Sequence, residues 1–161
     1  MRSDAPPPER IRLGIRATGS WTRTRQPGPS AARRAESASS MATPIQTGEN
    51  LVDTFEMARA IAARSLDFVM PDVQRIGGVT GWLRAAALAH AHGIDMSSHL
   101  FPEFSVHLLG VTPTCHWLEY MDWAVPLLQE PVRVRDGFAS IPDRPGAGVE
   151  WDEAAVKRYS A

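Results

Sequence analysis

Four residues suited to acid–base chemistry or cation binding, Glu49, Asp72, His99 and Glu119, stand 23, 27 and 20 positions apart. Each ends a short strand candidate. Thr43-Pro44-Ile45-Gln46-Thr47-Gly48 leads to Glu49, and Asp67-Phe68-Val69-Met70-Pro71 leads to Asp72. Ile94 to Ser98 leads to His99, and Cys115-His116-Trp117-Leu118 to Glu119. Runs this short, bounded by Pro and Gly, read as buried strands rather than helices. One charged residue at one strand end is what exposure to solvent alone would produce. Four in succession, all carboxylate or imidazole, point to a shared site.

The intervals fit one strand, one helix and two loops each. A helix starting at Asp53 or Thr54 would carry Phe55, Ala58, Ile61 and Ala62 on one face. After the Gly77-Gly78 turn, Val79, Trp82, Leu83, Ala86 and Ala89 recur at helical spacing until Gly93, a C-terminal stop. Phe104 to Val111 reads as a further short helix. Parallel strands joined by right-handed helical crossovers bring their C-terminal ends to one rim. A (β/α)₈ barrel places catalytic side chains on that rim, and an open doubly wound sheet binds ligands beyond the same strand ends. The expected class is therefore α/β. Downstream, Val132 and Val134, then Asp136-Gly137, then Phe138 and Ile141 form a hairpin pattern with a favoured turn. Asp152 is placed to cap a short terminal helix through Tyr159.

Composition divides the chain. Its 161 residues and 43% hydrophobic content allow one ordinary domain, with a net charge of −1. Residues 1–41, by contrast, hold eight Arg, only Asp4, Glu9 and Glu36 as acids, and few large apolar side chains. Such a head cannot bury enough surface to offset its ordering entropy and is expected to be disordered. Its composition also suits a transit peptide or a phosphate-binding arm, but it lacks an amphipathic face and interleaved aromatics, which argues against nucleic acid. No run of about eighteen apolar residues is present to suggest a transmembrane helix. A lone Cys115 forbids an internal disulfide and fits a reducing, cytoplasmic setting.

The stretches GEN at 48–50, PDVQRIGG at 71–78, SSH at 97–99 and WLE at 117–119 follow in an order that resembles mandelate racemase, muconate lactonizing enzyme and their relatives in the enolase superfamily. The likeness runs from about Pro44 to Tyr159, ending in PDRPGAGVEWDEAAVKRY. It implies a partial (β/α)₈ TIM-type barrel over residues 42–161, about the last four β/α units. It also implies removal of the proton α to a carboxylate, assisted by Mg²⁺. Carried over by residue, His99 resembles the general base and Asp72 the partner that orients its imidazole. Glu119 resembles the acid that hydrogen-bonds the substrate carboxylate, and Glu49 one of three metal carboxylates. The expected partner is a small 2-hydroxy carboxylate. Mandelate-like racemisation is the nearer activity by local sequence, with acid-sugar dehydration as the alternative.

Some of the family's equipment has no counterpart in the sequence. Two metal carboxylates and a lysine pair should precede Glu49, yet Arg23 and Arg25 stand about one unit upstream, and Lys157 is the single lysine. Mg²⁺ is therefore expected to bind weakly, the chain is read as truncated and expected to show little or no turnover alone, and residues 1–40 are read as not being the family's own upstream segment. Half a barrel would leave sheet edges unpaired, so self-association through those edges is expected, whether the module is catalytic or not. Lesser signals receive plainer readings. His90 and His92 point to different helix faces, and His107, His116 and Cys115 lack zinc spacing. Gly77-Gly78 lacks a phosphate-loop motif, and Arg75 reads as solvated.

Overall fold

The computed structural model describes Arg10–Gly14 and residues 43–160. Seven strands are present there: β1 (Arg10–Gly14), β2 (Gln46–Thr47), β3 (Phe68–Val69), β4 (Asp95–Met96), β5 (Leu118–Glu119), β6 (Val134–Arg135) and β7 (Phe138–Ser140). Four α-helices accompany them: α1 (Thr54–Ala62), α2 (Gly78–Ala91), α3 (Pro102–Gly110) and α4 (Glu153–Tyr159). A 3₁₀ turn spans Val125–Leu127. β2 pairs with β3 and β3 with β4, both parallel. The next link is a parallel bridge between Met96 and Cys115, which leads into β5. The expected alternation of parallel strand and helix is thus present from residue 46 to Glu119.

Local chemistry sets the element ends. Asp53 caps α1, its side chain accepting from the Glu56 amide at 2.7 Å, while Glu56 reaches back to the Val52 amide at 2.9 Å. These contacts satisfy amides that the helix cannot pair internally. Asp152 caps α4 in the same way, accepting from Ala154 and Ala155. Asp136 and Gly137 both adopt positive φ, 53° and 77°, as a two-residue hairpin turn between β6 and β7 requires.

The core lies between the strands and helices α1 to α3. Met57, Val69, Trp82, Ala85, Met96, Val106 and Leu118 are fully buried, and each large side chain contributes about 1.5–3 kcal/mol through loss of contact with water. The buried faces differ in part from the sequence expectation. On α1 it is Met57 and Ile61 that pack inward, while Phe55 is 74% exposed. On α2 Trp82, Ala85, Ala86 and Ala89 are buried, and Val79 and Leu83 lie outward. Both helices carry apolar residues on more than one side, and the strand layer beneath selects which stripe it covers.

The head expected to be disordered over 1–41 contains a strand at Arg10–Gly14, and the rest of that range lies outside the described residues. β1 runs parallel to β5, with Leu13 opposite Leu118, and antiparallel to β7, with Ile11 opposite Ala139. The sheet edge beyond β5, which the sequence reading leaves open, is therefore paired. The physical reason is a two-residue alternation, Arg10-Ile11-Arg12-Leu13, which suits a strand although the composition around it does not.

Candidate active site

The four strand-end residues converge on His99. Its Nδ1 lies 3.1 Å from Asp72 Oδ2, and its Nε2 lies 3.3 Å from Glu49 Oε2 and 3.9 Å from Glu119 Oε2. A parallel backbone bridge joins Asp72 to His99, and the His99 amide donates to the Pro71 carbonyl at 3.3 Å. The imidazole pairs with Asp72 because their backbones pair first. Asp72 is 4% exposed and fully engaged. Its Oδ1 accepts from the amides of Gln74 at 2.7 Å and Arg75 at 3.1 Å. With Oδ1 anchored to its own loop, Oδ2 faces the ring. In the tautomer with hydrogen on Nδ1, Oδ2 accepts from it and Nε2 is left facing Glu49 and Glu119.

Glu49 depends on Gly48. That glycine has φ 141°, and a Cβ there would come within 2.9 Å of the Met70 backbone nitrogen. Only glycine lets the chain pass this close to β3 in that conformation. Glu49 is then delivered above β3 with its side chain 40% exposed, the most accessible of the four.

Glu119 owes its orientation to a slip in register. Met96 donates to Thr114 and accepts from His116, but Ser98 donates to Trp117, one residue further on than a regular parallel ladder would give. One extra residue is thus accommodated between these rungs, a β-bulge. Because side chains alternate with a period of two, a single insertion exchanges faces. His116 approaches Ser97, with 3.3 Å between ring Nδ1 and Oγ, on the face that also carries His99. Past the bulge Leu118 turns into the core at 0% exposure and Glu119 turns toward His99. Its Oε2 accepts from the Leu100 amide at 2.9 Å. Leu100 and Phe101 both sit in the left-handed region, φ 52° and 46°, which costs non-glycine residues on the order of 1–2 kcal/mol each. These two strained residues lie directly beside the cluster of ionisable groups.

Ser98 and the Leu100 amide are contributors that sequence reasoning missed. The doubled serine before His99 is the only sign of the first, and a backbone amide leaves no sign at all. Arg75 is exposed and enters the site only through its backbone. His90 and His92 lie on the surface of α2. His107 is bonded through Nε2 to the Ala147 carbonyl at 3.1 Å, and His116 stacks on Phe68 at 5.0 Å. Near the site, burial raises the Glu103 carboxyl above its ordinary value. The Tyr120 phenol is raised by burial first, and then by Glu103 and Asp122.

Among the described residues no group of three or more His, Cys, Asp or Glu could hold a metal ion. Mg²⁺ takes oxygen ligands in octahedral geometry and commonly keeps water beside one or two carboxylates. Glu49 is a donor of the right kind, but one carboxylate beside an imidazole does not make that site. The described residues do not fit the ion by themselves. Among them, too, no helix is long and apolar enough to cross a membrane.

A strand-end His–Asp dyad on parallel β/α units, faced by two carboxylates, defines an α/β domain with a cluster of ionisable groups suited to proton transfer. Residues 26–155 match the family described as enolase C-terminal domain-like. The chain belongs to that family, among the mandelate racemase and muconate lactonizing enzyme relatives of the enolase superfamily. The match begins upstream of residue 42, the domain start expected from sequence. The chain is 38% identical over 121 residues to the L-talarate/galactarate dehydratase of Salmonella typhimurium, covering 75% of this chain and 30% of that enzyme. A Bradyrhizobium enolase crystallised with magnesium and mandelic acid is 47% identical, with a TM-score of 0.72 over 82% of this chain and 35% of its own. The L-talarate dehydratase of Polaromonas sp. JS666, solved with Mg and L-glucarate, is 35% identical, with a TM-score of 0.68 over 80% of this chain and 35% of its own. These proteins are about three times as long as the region they share with this chain.

Proposed function

We propose that this chain carries the general-base half of an enzyme that removes the proton α to the carboxylate of a 2-hydroxy acid. The observation that carries the reading is the His99 ring, held at Nδ1 by Asp72 and turned at Nε2 toward Glu49 and Glu119. In this reading Nε2 takes the α-proton, and Asp72 keeps the tautomer and favours the imidazolium that forms. Glu119, in its protonated form, donates to the substrate carboxylate as charge builds there. Glu49 is the most exposed carboxylate of the cluster, an oxygen donor of the kind Mg²⁺ takes, but the described residues do not supply the rest of such a site. A base alone contributes about 10²–10⁴-fold, which falls short of the roughly 10⁶-fold minimum of most enzymes.

Dehydration of an acid sugar is the favoured outcome. Once His99 has taken the α-proton, the same imidazolium is a proton source for a departing β-hydroxyl, so one base serves both steps. The similarity to talarate/galactarate dehydratases supports this. Racemisation of a mandelate-like acid is the second reading, favoured by the similarity to the enolase solved with mandelic acid. It needs a second base on the opposite face of the substrate. The test is α-proton exchange in D₂O, followed by ¹H NMR with galactarate, talarate and mandelate in the presence of Mg²⁺. Exchange that is lost in His99→Asn is expected, and equal exchange by both proteins would refute His99 as the base.

A further inference from the structure

We infer that Ser98 is a positioning residue for Glu119, its hydroxyl fastening the bulge that turns that carboxylate into the site. This rests on the reading of Glu119 as the proton donor to substrate. Where β4 and β5 part, the Ser98 amide still donates to Trp117 at 2.9 Å. A regular parallel ladder would next take the Glu119 amide to the Ser98 carbonyl. Here that amide donates instead to Ser98 Oγ at 3.0 Å, in a fully buried contact. His99 next donates to Pro71 on the other side of the strand, and the following amide on the β5 side, that of Leu100, goes to the Glu119 side chain, so Ser98 is the last residue to bond the β5 backbone.

The hydroxyl therefore spans a gap the backbone has opened. Ser98 is 1% exposed, so no water would reach the Glu119 amide in its place, and an orphaned buried amide is costly. Glu119 is consequently held at both ends, its amide by Ser98 Oγ and its Oε2 by the Leu100 amide at 2.9 Å. Leu100 itself sits in a left-handed conformation while its N–H donates to the carboxylate. If the amide end loosens, the carboxylate end loses its register with Leu100. Ser98 thus acts on the chemistry without touching the substrate.

The test is residue-resolved amide hydrogen exchange on the whole chain, comparing wild type with Ser98→Ala and Ser98→Thr. Ser98→Ala should speed exchange of both the Glu119 and the Leu100 amides by about tenfold, the size of one lost net hydrogen bond. The amides of Trp82 and Leu109 should keep their wild-type rates, and Ser98→Thr should restore the Leu100 rate. A purely local packing role would speed Glu119 alone, so an unchanged Leu100 rate in Ser98→Ala overturns the proposal. Should Ser98→Ala fail to fold, Ser98→Cys, a near-isostere with a poor acceptor, gives the same two outcomes. In the α-proton exchange assay, Ser98→Ala should lower kcat about tenfold while KM changes less than about twofold. Absence of exchange in wild type would sink the functional reading and leave the amide result standing.

Discussion

Asp72 and His99 are joined twice, by a parallel backbone bridge and by a 3.1 Å contact between Asp72 Oδ2 and His99 Nδ1. The double link separates structure from chemistry. In Asp72→Asn the side-chain oxygen still accepts from the Gln74 and Arg75 amides, so the loop keeps its shape. The carboxylate charge that steadies an imidazolium is gone, and the amide group presents a donor or a weaker acceptor to Nδ1. α-Proton exchange should fall by at least about 10²-fold, while the melting temperature, read by circular dichroism, moves little.

Gly48 sets the position of Glu49 through close approach. In Gly48→Ala the new Cβ meets the Met70 backbone nitrogen at 2.9 Å and its carbonyl carbon at 3.1 Å, at φ 141°. Neither atom is the end of a flexible side chain, so the strands must shift. A loss of about 1–3 kcal/mol is expected, seen as a fall of several degrees in Tm.

Glu103 makes stability depend on pH. Burial in the first turn of α3 raises its carboxyl above the ordinary 4.5, a trend its own backbone hydrogen bond only partly opposes. The folded chain therefore holds this proton more tightly than the unfolded chain. Its contribution is fully present below 4.5 and is lost as pH rises through the elevated folded value. Glu103→Gln, which never ionises, should match wild type in thermal melts near pH 4 and exceed it at pH 7. Equal melting temperatures at both values would contradict this.

Cys115 should be a sluggish nucleophile. Although the residue reaches the surface, partial desolvation of the thiol, then the nearby Asp95 carboxylate, push it up to about 11. The thiolate is the reactive form. Alkylation by iodoacetamide, followed by mass spectrometry, should be slow at pH 8 and quicken steadily with rising pH. Asp95→Asn removes the adjacent negative charge, lowers the thiol and should speed labelling at pH 8.

Much of this molecule is legible in the chain because it is governed by near neighbours. Asp53 and Asp152 announce helix starts through their own short side chains, and Asp136-Gly137 announces a hairpin because few residues tolerate two successive positive φ angles. The repeat of strand and helix places Glu49, Asp72, His99 and Glu119 at comparable points of successive units. Parallel topology then brings them to one rim without further information. Phe55 shows the limit. Its helix has apolar residues on more than one side, and only the packed layer decides that Met57 and Ile61 go in.

The amino-acid order alone determined which residues follow the strand ends, where helices are capped, and hence that an imidazole and three carboxylates gather together. These follow from interactions within a few positions along the chain. Tertiary structure decided what pairs with Arg10–Gly14, which stripe of each helix is covered, and how Glu119 is aimed. A bulge, an orphaned amide answered by Ser98 and two left-handed residues exist only when separate strands meet. Their energies arise between distant segments, and no local pattern encodes them.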